Sequence, residues 1–428
     1  MPSNTKEAYV WIWLQHQNDP IVCGRLKWSN AQLRFNYGQS YLSRKDAIPI
    51  YGPELPLKTG EQALLPRMDM PSCIRDGSPD AWGRRVIINQ VTGKKKENIA
   101  LVELDELAYL LKSGSDRIGN LDFQESASTY VARSPKAATL EELQQASELV
   151  DKGIPLTAEL DQALNHGSSI GGARPKASVD SDNKKYIAKF SGSTDTYSVV
   201  KAEYIAMKLA KKIGLDVANV ELTQALGKDV ILIERFDRQL SEQGQWHRKA
   251  MVSALTIFEI PEHEARYASY ETLAEKVRHL FTSPRATLHE LYRRLVFNIL
   301  VGNTDDHARN HGAFWDGKHL TLTPAYDICP QGRTGQEASQ AMNIHQENKL
   351  SQLGNCLEAS SAFQLSEEAA QEIIRLQVGV IKEHYIEICQ ETDLSEVDQR
   401  FFWRRQFLNP FCFYDLPESF ANELTDGL

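Results

Sequence analysis

No stretch of this 428-residue chain approaches the roughly 20 apolar residues that a membrane-spanning helix needs, and its opening MPSNTKEAYV lacks the apolar core of a secretion signal. Both absences lead to the expectation of a cytoplasmic protein with no membrane partner. Cysteine is scarce and scattered. Cys23, Cys73, Cys329, Cys356, Cys389 and Cys412 include no C-x-x-C pair, which argues against a zinc site or a disulfide framework and for buried apolar thiols. Positive charge is in deficit: 48 Lys and Arg stand against 57 Asp and Glu, for a formal net charge of −9. General attraction to nucleic acid is thereby excluded, and any such contact needs a local basic patch or a basic partner. Internal repeats, low-complexity tracts and a convincing helix-turn-helix are missing too. What remains, 42% hydrophobic and 25% charged residues, is ordinary for a soluble globular protein of two or three domains.

What is present is concentrated in a few polar runs. Residues 288–301 (LHELYRRLVFNILV) carry apolar side chains at helical spacing, and the helix is predicted to stop at Gly302. Asn303-Thr304-Asp305-Asp306-His307-Ala308-Arg309-Asn310 follows, then a hairpin signal, Asp316-Gly317, between candidate strands at 312–315 and 319–322. Thr323-Pro324-Ala325-Tyr326-Asp327 comes next, so Asp327 is expected just past a strand, folded back toward Asp305 and Asn310. Phosphoryl transfer needs one carboxylate near the attacking hydroxyl, and a second carboxylate with an amide oxygen to hold Mg²⁺ against the nucleotide phosphates. Asp305, Asp327 and Asn310 supply these groups. The spacing Asp-x-x-x-x-Asn is that of a protein-kinase catalytic loop, although the usual preceding His-Arg is absent and Tyr-Asp-Ile stands in place of Asp-Phe-Gly. The bland alternative is a polar loop without chemistry.

A second run, Ser168-Ser169-Ile170-Gly171-Gly172-Ala173-Arg174-Pro175-Lys176, is glycine-rich and basic, suited to close backbone approach to phosphate. It is not a Walker A loop, because it leads into a strand rather than opening a helix. That predicted strand carries Lys189, placed to pair nucleotide phosphates as in kinases; the alternative is an exposed lysine on an edge strand. A helix expected over 198–213, capped by Gly214, carries Glu203, which either pairs Lys189 or is a solvated surface residue. After a buried strand at 230–233, the backbone of Glu234, Arg235 and Phe236 falls where a kinase hinge meets adenine, and Asp237 could reach the ribose. Short alternating runs at 9–14, 21–26 and 32–37 read as strands. The expected fold is α+β: a β-rich N-terminal subdomain with a helical extension (1–125), a mixed α/β nucleotide lobe (126–245) and a mainly helical catalytic lobe (246–428).

Taken in order, Ser-Ile-Gly-Gly-Ala-Arg-Pro-Lys, Ile-Ala-Lys-Phe, Glu-Arg-Phe-Asp-Arg, Gly-Asn-Thr-Asp-Asp-His-Ala-Arg-Asn and Pro-Ala-Tyr-Asp-Ile resemble one family. It is the HipA-like serine/threonine kinases, toxins of type II toxin-antitoxin pairs. Ser78-Pro79-Asp80-Ala81-Trp82-Gly83 and Asp116-Arg117-Ile118-Gly119 are similar to that family as well. The resemblance implies a protein-kinase-like, phosphoinositide-kinase-like fold that uses ATP and Mg²⁺. Asp305 would be the catalytic base, Asn310 and Asp327 the Mg²⁺ ligands, and Lys189 the phosphate-binding lysine. Ile170 to Lys176 would be the nucleotide loop, Glu234 to Asp237 the hinge, and His307, Ala308, Arg309 and Tyr326 further nucleotide contacts. Ser169 matches an autophosphorylated loop serine whose added charge would eject the loop, with Ser168 beside it as a second candidate. The implied partners are a HipB-like helix-turn-helix antitoxin, operator DNA through that complex only, and an aminoacyl-tRNA synthetase as substrate. A small-molecule phosphotransferase and an inactive kinase-like corepressor are the alternatives.

Overall fold

The alternating runs near the N-terminus do form strands: β1 (Glu7–Ile12), β2 (Ile21–Ser29) and β3 (Gln32–Tyr37). A fourth, β4 (Leu121–Gln124), comes from far down the chain and pairs with β1, giving an antiparallel sheet ordered β3-β2-β1-β4. The computed structural model describes residues 6–93, 104–133, 138–164, 168–192, 195–333 and 335–428. They fall into two units. Unit 1 comprises Met1–Asp195, Thr223–Val252 and Phe314–Lys318; unit 2 comprises Thr196–Leu222, Ser253–Ala313 and His319–Leu428.

A second sheet consists of β5 (Lys176–Ser181), β6 (Lys184–Phe190), β7 (Val220–Ala225) and β8 (Lys228–Glu234), ordered β5-β6-β8-β7, with β5, β6 and β8 in unit 1. Asp182 and Asn183 take positive φ in the two-residue turn between β5 and β6, as the twist of a tight hairpin requires. Strand periodicity sends alternate side chains to opposite faces. On one face Ala177, Tyr186, Ala188, Phe190, Val230 and Leu232 form a core with Trp82 and Val86 of helix Ala81–Gly93 and Leu143, Ala146 and Val150 of helix Leu140–Asp151. The latter helix opens on a full capping box: Glu142 N–H donates to Thr139 Oγ1 and Thr139 N–H to Glu142 Oε2.

Unit 2 is mainly helical. Helix Pro284–Leu300 buries eleven of its side chains, including Leu291, Leu295, Phe297 and Ile299. Helix Val199–Ile213 ends in the left-handed Gly214 and is tied to helix Glu367–Glu391 through Lys208–Glu391 at 3.7 Å. Strands Gly312–Trp315 and Leu320–Leu322 flank Asp316-Gly317 as expected, with Gly317 at φ +100° and Lys318 N–H donating to Asp316 Oδ1 at 2.7 Å. All six cysteines are free and buried. Among the described residues no helix is long and apolar enough to cross a membrane.

Candidate active site

In unit 2 the predicted catalytic segment begins where helix Pro284–Leu300 stops. Gly302 takes φ +67°, and a Cβ there would stand 2.7 Å from Gln406 O, so the reversal requires glycine for conformation and for space. Asn303 N–H donates back to Asn298 O at 2.8 Å, and Gln331 N–H to Gly302 O at 3.0 Å. The next turn is closed on itself: His307 N–H donates to Asp305 O and Asn310 N–H to His307 O, both at 2.8 Å. Asn310 Nδ2 donates to Asp305 O at 3.1 Å, which commits the nitrogen end of the amide and leaves the oxygen as the donor for a cation.

Asp305 and Asp327 come close enough for each other's charge to matter. Burial raises the Asp305 carboxyl above the usual carboxylate range; His307 draws it down and the charge of Asp327 pushes it further up. Asp327 itself sits at φ +59°, in the left-handed region that aspartate tolerates better than most residues. His307 Nδ1 is buried without a hydrogen-bond partner among the described residues, a condition native proteins resolve with water, an ion or a ligand. Tyr326 Oη donates to Arg309 O at 2.8 Å, Arg309 pairs with Glu262 at 3.1 Å, and Ala308 is buried in the turn. The neighbouring Asp306, which the sequence did not single out, faces inward: it accepts from Tyr270 Oη and lies 3.0 Å from His311 Nε2. Among the described residues no three His, Cys, Asp or Glu side chains converge on a metal position. A cation at this turn would therefore rest on one or two carboxylates, an amide oxygen and the oxygens of a phosphate, the ligand set suited to Mg²⁺.

Unit 1 contains the glycine-rich loop. Lys176 and Lys189 are direct partners across β5 and β6, on the sheet face opposite the core, and both are buried, at 5% and 7% exposure. Two lysines directly opposite one another concentrate positive charge on this face of the sheet. Since β6 lies between β5 and β8, the edge-strand alternative for Lys189 does not hold. Lys176 Nζ donates to Gly171 O, Arg174 pairs with Asp195, Ile170 is buried, and Pro175 O accepts from Phe190 N–H. Ser168 is fully buried with Oγ accepting from Gly114 N–H at 2.9 Å; Ser169 is buried as well. Residue 167, where the glycine-rich run begins, lies outside the described residues.

The segment after β8 differs from its reading as a nucleotide surface. Glu234 pairs with Lys184 at 3.1 Å, and Arg235 N–H extends the ladder to Lys185 O. Arg235, Asp237 and Arg238 turn inward. Asp237 accepts from Arg235, Arg238 and Gly119 N–H, and Asp116 pairs with both guanidiniums at 3.0 Å. Burial alone would raise the two carboxyls, yet the guanidiniums hold Asp116 well below its usual range and Asp237 at about 2. The side chains of Arg235 and Asp237 are therefore committed to this cluster, and the Arg235 N–H to the sheet. Glu203, in unit 2, is 2% exposed, which removes the solvated alternative.

Residues 12–124 match the family model described as the HipA N-terminal domain, and residues 168–385 that of the HipA-like C-terminal domain. A Sinorhizobium fredii protein provisionally named kinase Y4mE is 32% identical over 333 residues, 70% of this chain and 72% of that protein. The serine/threonine-protein kinase toxin HipA of Shewanella oneidensis is 27% identical over 184 residues, 37% of this chain and 42% of that protein. Among solved structures, a Shewanella oneidensis MR-1 complex of HipA, HipB and operator DNA contains a chain with the same fold. That chain matches with a TM-score of 0.70 over 98% of this one and 99% of its own length, at 18% identity.

Proposed function

This chain belongs to the HipA family of kinases, and from that premise we propose that it is an ATP- and Mg²⁺-dependent serine/threonine protein kinase, the toxin of a toxin-antitoxin pair. The observation that carries the reading is the convergence, within one unit, of an accessible carboxyl with raised pKa, a second carboxylate on left-handed backbone and an amide oriented by its nitrogen. Mg²⁺-ATP, when bound, supplies the phosphoryl group and neutralises its developing charge. Asp305 takes the proton of the attacking hydroxyl, while Asn310 and Asp327 hold the metal. Lys176, Lys189 and the loop 170–176 receive phosphates, and the chain after β8 meets adenine through backbone. His307 Nδ1 donates to, or accepts from, the nucleotide.

The protein acts in the cytoplasm, and its three functional parts are 1–125, 126–245 and 246–428. A HipB-like helix-turn-helix antitoxin neutralises it and brings it to operator DNA. Its substrate is an aminoacyl-tRNA synthetase, whose phosphorylation stalls translation and produces persistence. Ser169 is the autophosphorylation site; Ser168, whose hydroxyl already accepts from Gly114 N–H, is the anchor beside it. Intact-mass spectrometry of wild type and Asp305→Ala after incubation with Mg²⁺-ATP tests this. Phosphate on Ser169 in the wild type alone supports the kinase. No added phosphate, from an unmodified starting mass, would turn the reading to an inactive corepressor, or to a small-molecule phosphotransferase if a metabolite is turned over.

A further inference from the structure

The segment Ser78-Pro79-Asp80-Ala81-Trp82-Gly83 has no part in the chemistry above, yet within unit 1 it lies along the glycine-rich loop. Asp80 Oδ2 accepts from Gly172 N–H at 2.8 Å, Trp82 N–H donates to Gly172 O at 3.1 Å, and Trp82 Nε1 donates to Lys176 O at 2.9 Å. The fit is also steric. A Cβ on Gly83 would stand 2.5 Å from Ser168 O, and one on Gly171 would stand 2.8 Å from Asp80 Oδ2. Trp82 is fully buried in the core that backs β5 and β6, so the segment is fixed to the sheet that carries Lys176 and Lys189. Two adjacent glycines give a loop that would otherwise sample many shapes, and a nucleotide would have to order it on binding.

We propose that Asp80 and Trp82 are positioning residues that hold loop 168–176 in its phosphate-receiving shape, touching no nucleotide themselves. The inference rests on the assignment of that loop to ATP. A carboxylate–amide bond is among the stronger kinds, and a preformed loop spares the ligand its ordering.

The test combines Mg²⁺-ATP calorimetry, autophosphorylation kinetics and hydrogen exchange on Asp80→Ala, Asp80→Asn and Trp82→Phe in the full chain. Asp80→Ala is expected to bind Mg²⁺-ATP about tenfold or more weakly, since a hydrogen bond to a charged group is lost. Its KM rises accordingly, with the rate at saturating ATP within about threefold of wild type. The Gly172 amide exchanges faster, while helix Ala81–Gly93 keeps its protection. Asp80→Asn retains an acceptor oxygen and restores both readouts; Trp82→Phe, which loses the indole donor together with some buried ring volume, falls between. Wild-type affinity and an unchanged Gly172 amide in Asp80→Ala would overturn the proposal. So would protection lost throughout the helix, which marks a general structural role. A wild type that binds no Mg²⁺-ATP would overturn the kinase reading instead, and the Gly172 exchange would still decide the positioning role.

Discussion

Asp305 and Asp306 are adjacent in sequence and opposite in circumstance. The first is exposed, with its carboxyl within reach of the charge of Asp327; the second is sealed against Tyr270 and His311. Asp305→Ala is therefore expected to slow phosphoryl transfer by roughly 10²- to 10⁴-fold, the worth of a positioned base, while Mg²⁺-ATP binding measured by calorimetry survives. Asp306→Ala is expected to lower stability by about 2–3 kcal/mol in urea unfolding, because it strands two buried partners. Equal stability of the two variants would refute the division. The sequence singles out Asp305 through its five-residue spacing to Asn310, but gives no sign of which way Asp306 points, since Tyr270 stands 36 positions away. The same limit explains Arg235 and Asp237. A polar run after a strand reads as an exposed surface, and only partners more than a hundred residues upstream, at 116–119, reveal it as interior.

Elements with local signals were read well. Gly214 and the Asp316-Gly317 turn each act through neighbours within a few residues, so spacing alone exposes them. Strand β4 was not anticipated, because four residues with a central aspartate look like loop. Asp122 is tolerated there by five side chains: it accepts from Ser115, Arg117, Gln124, Tyr130 and Arg133. The reversal at Gly302 belongs to this scale as well. Gly302→Ala is expected to cost about 1–3 kcal/mol, from left-handed backbone and the approach to Gln406 O, seen as a lower urea midpoint. Asn303→Ala, which loses only the side-chain bond to Asn298, should cost less, about 1 kcal/mol.

At the scale of the whole molecule, a few charges are buried in pairs and networks. The Asp116, Arg235, Asp237 and Arg238 cluster gives unit 1 an acid dependence of definite sign. Asp237 is depressed to about 2 from an ordinary value near 3.9, so its contribution is complete above about pH 4 and is lost as pH falls through 2. It amounts to about 2–3 kcal/mol. Asp237→Asn should be less stable than wild type at neutral pH, with the deficit narrowing between pH 4 and pH 2 in denaturant titrations; a constant deficit would show that the carboxylate's charge is not what matters. The chain passes between the two units at 195, 222, 252, 313 and 318, so unit 1 is gathered from three separate stretches. During synthesis β6 must therefore wait for β8, and Asp116 for Arg235 and Arg238, which leave the ribosome more than a hundred residues later. The sheet that carries Lys176 and Lys189 and the segment that carries Asp305 and Asp327 are therefore both in place only when most of the chain has been made.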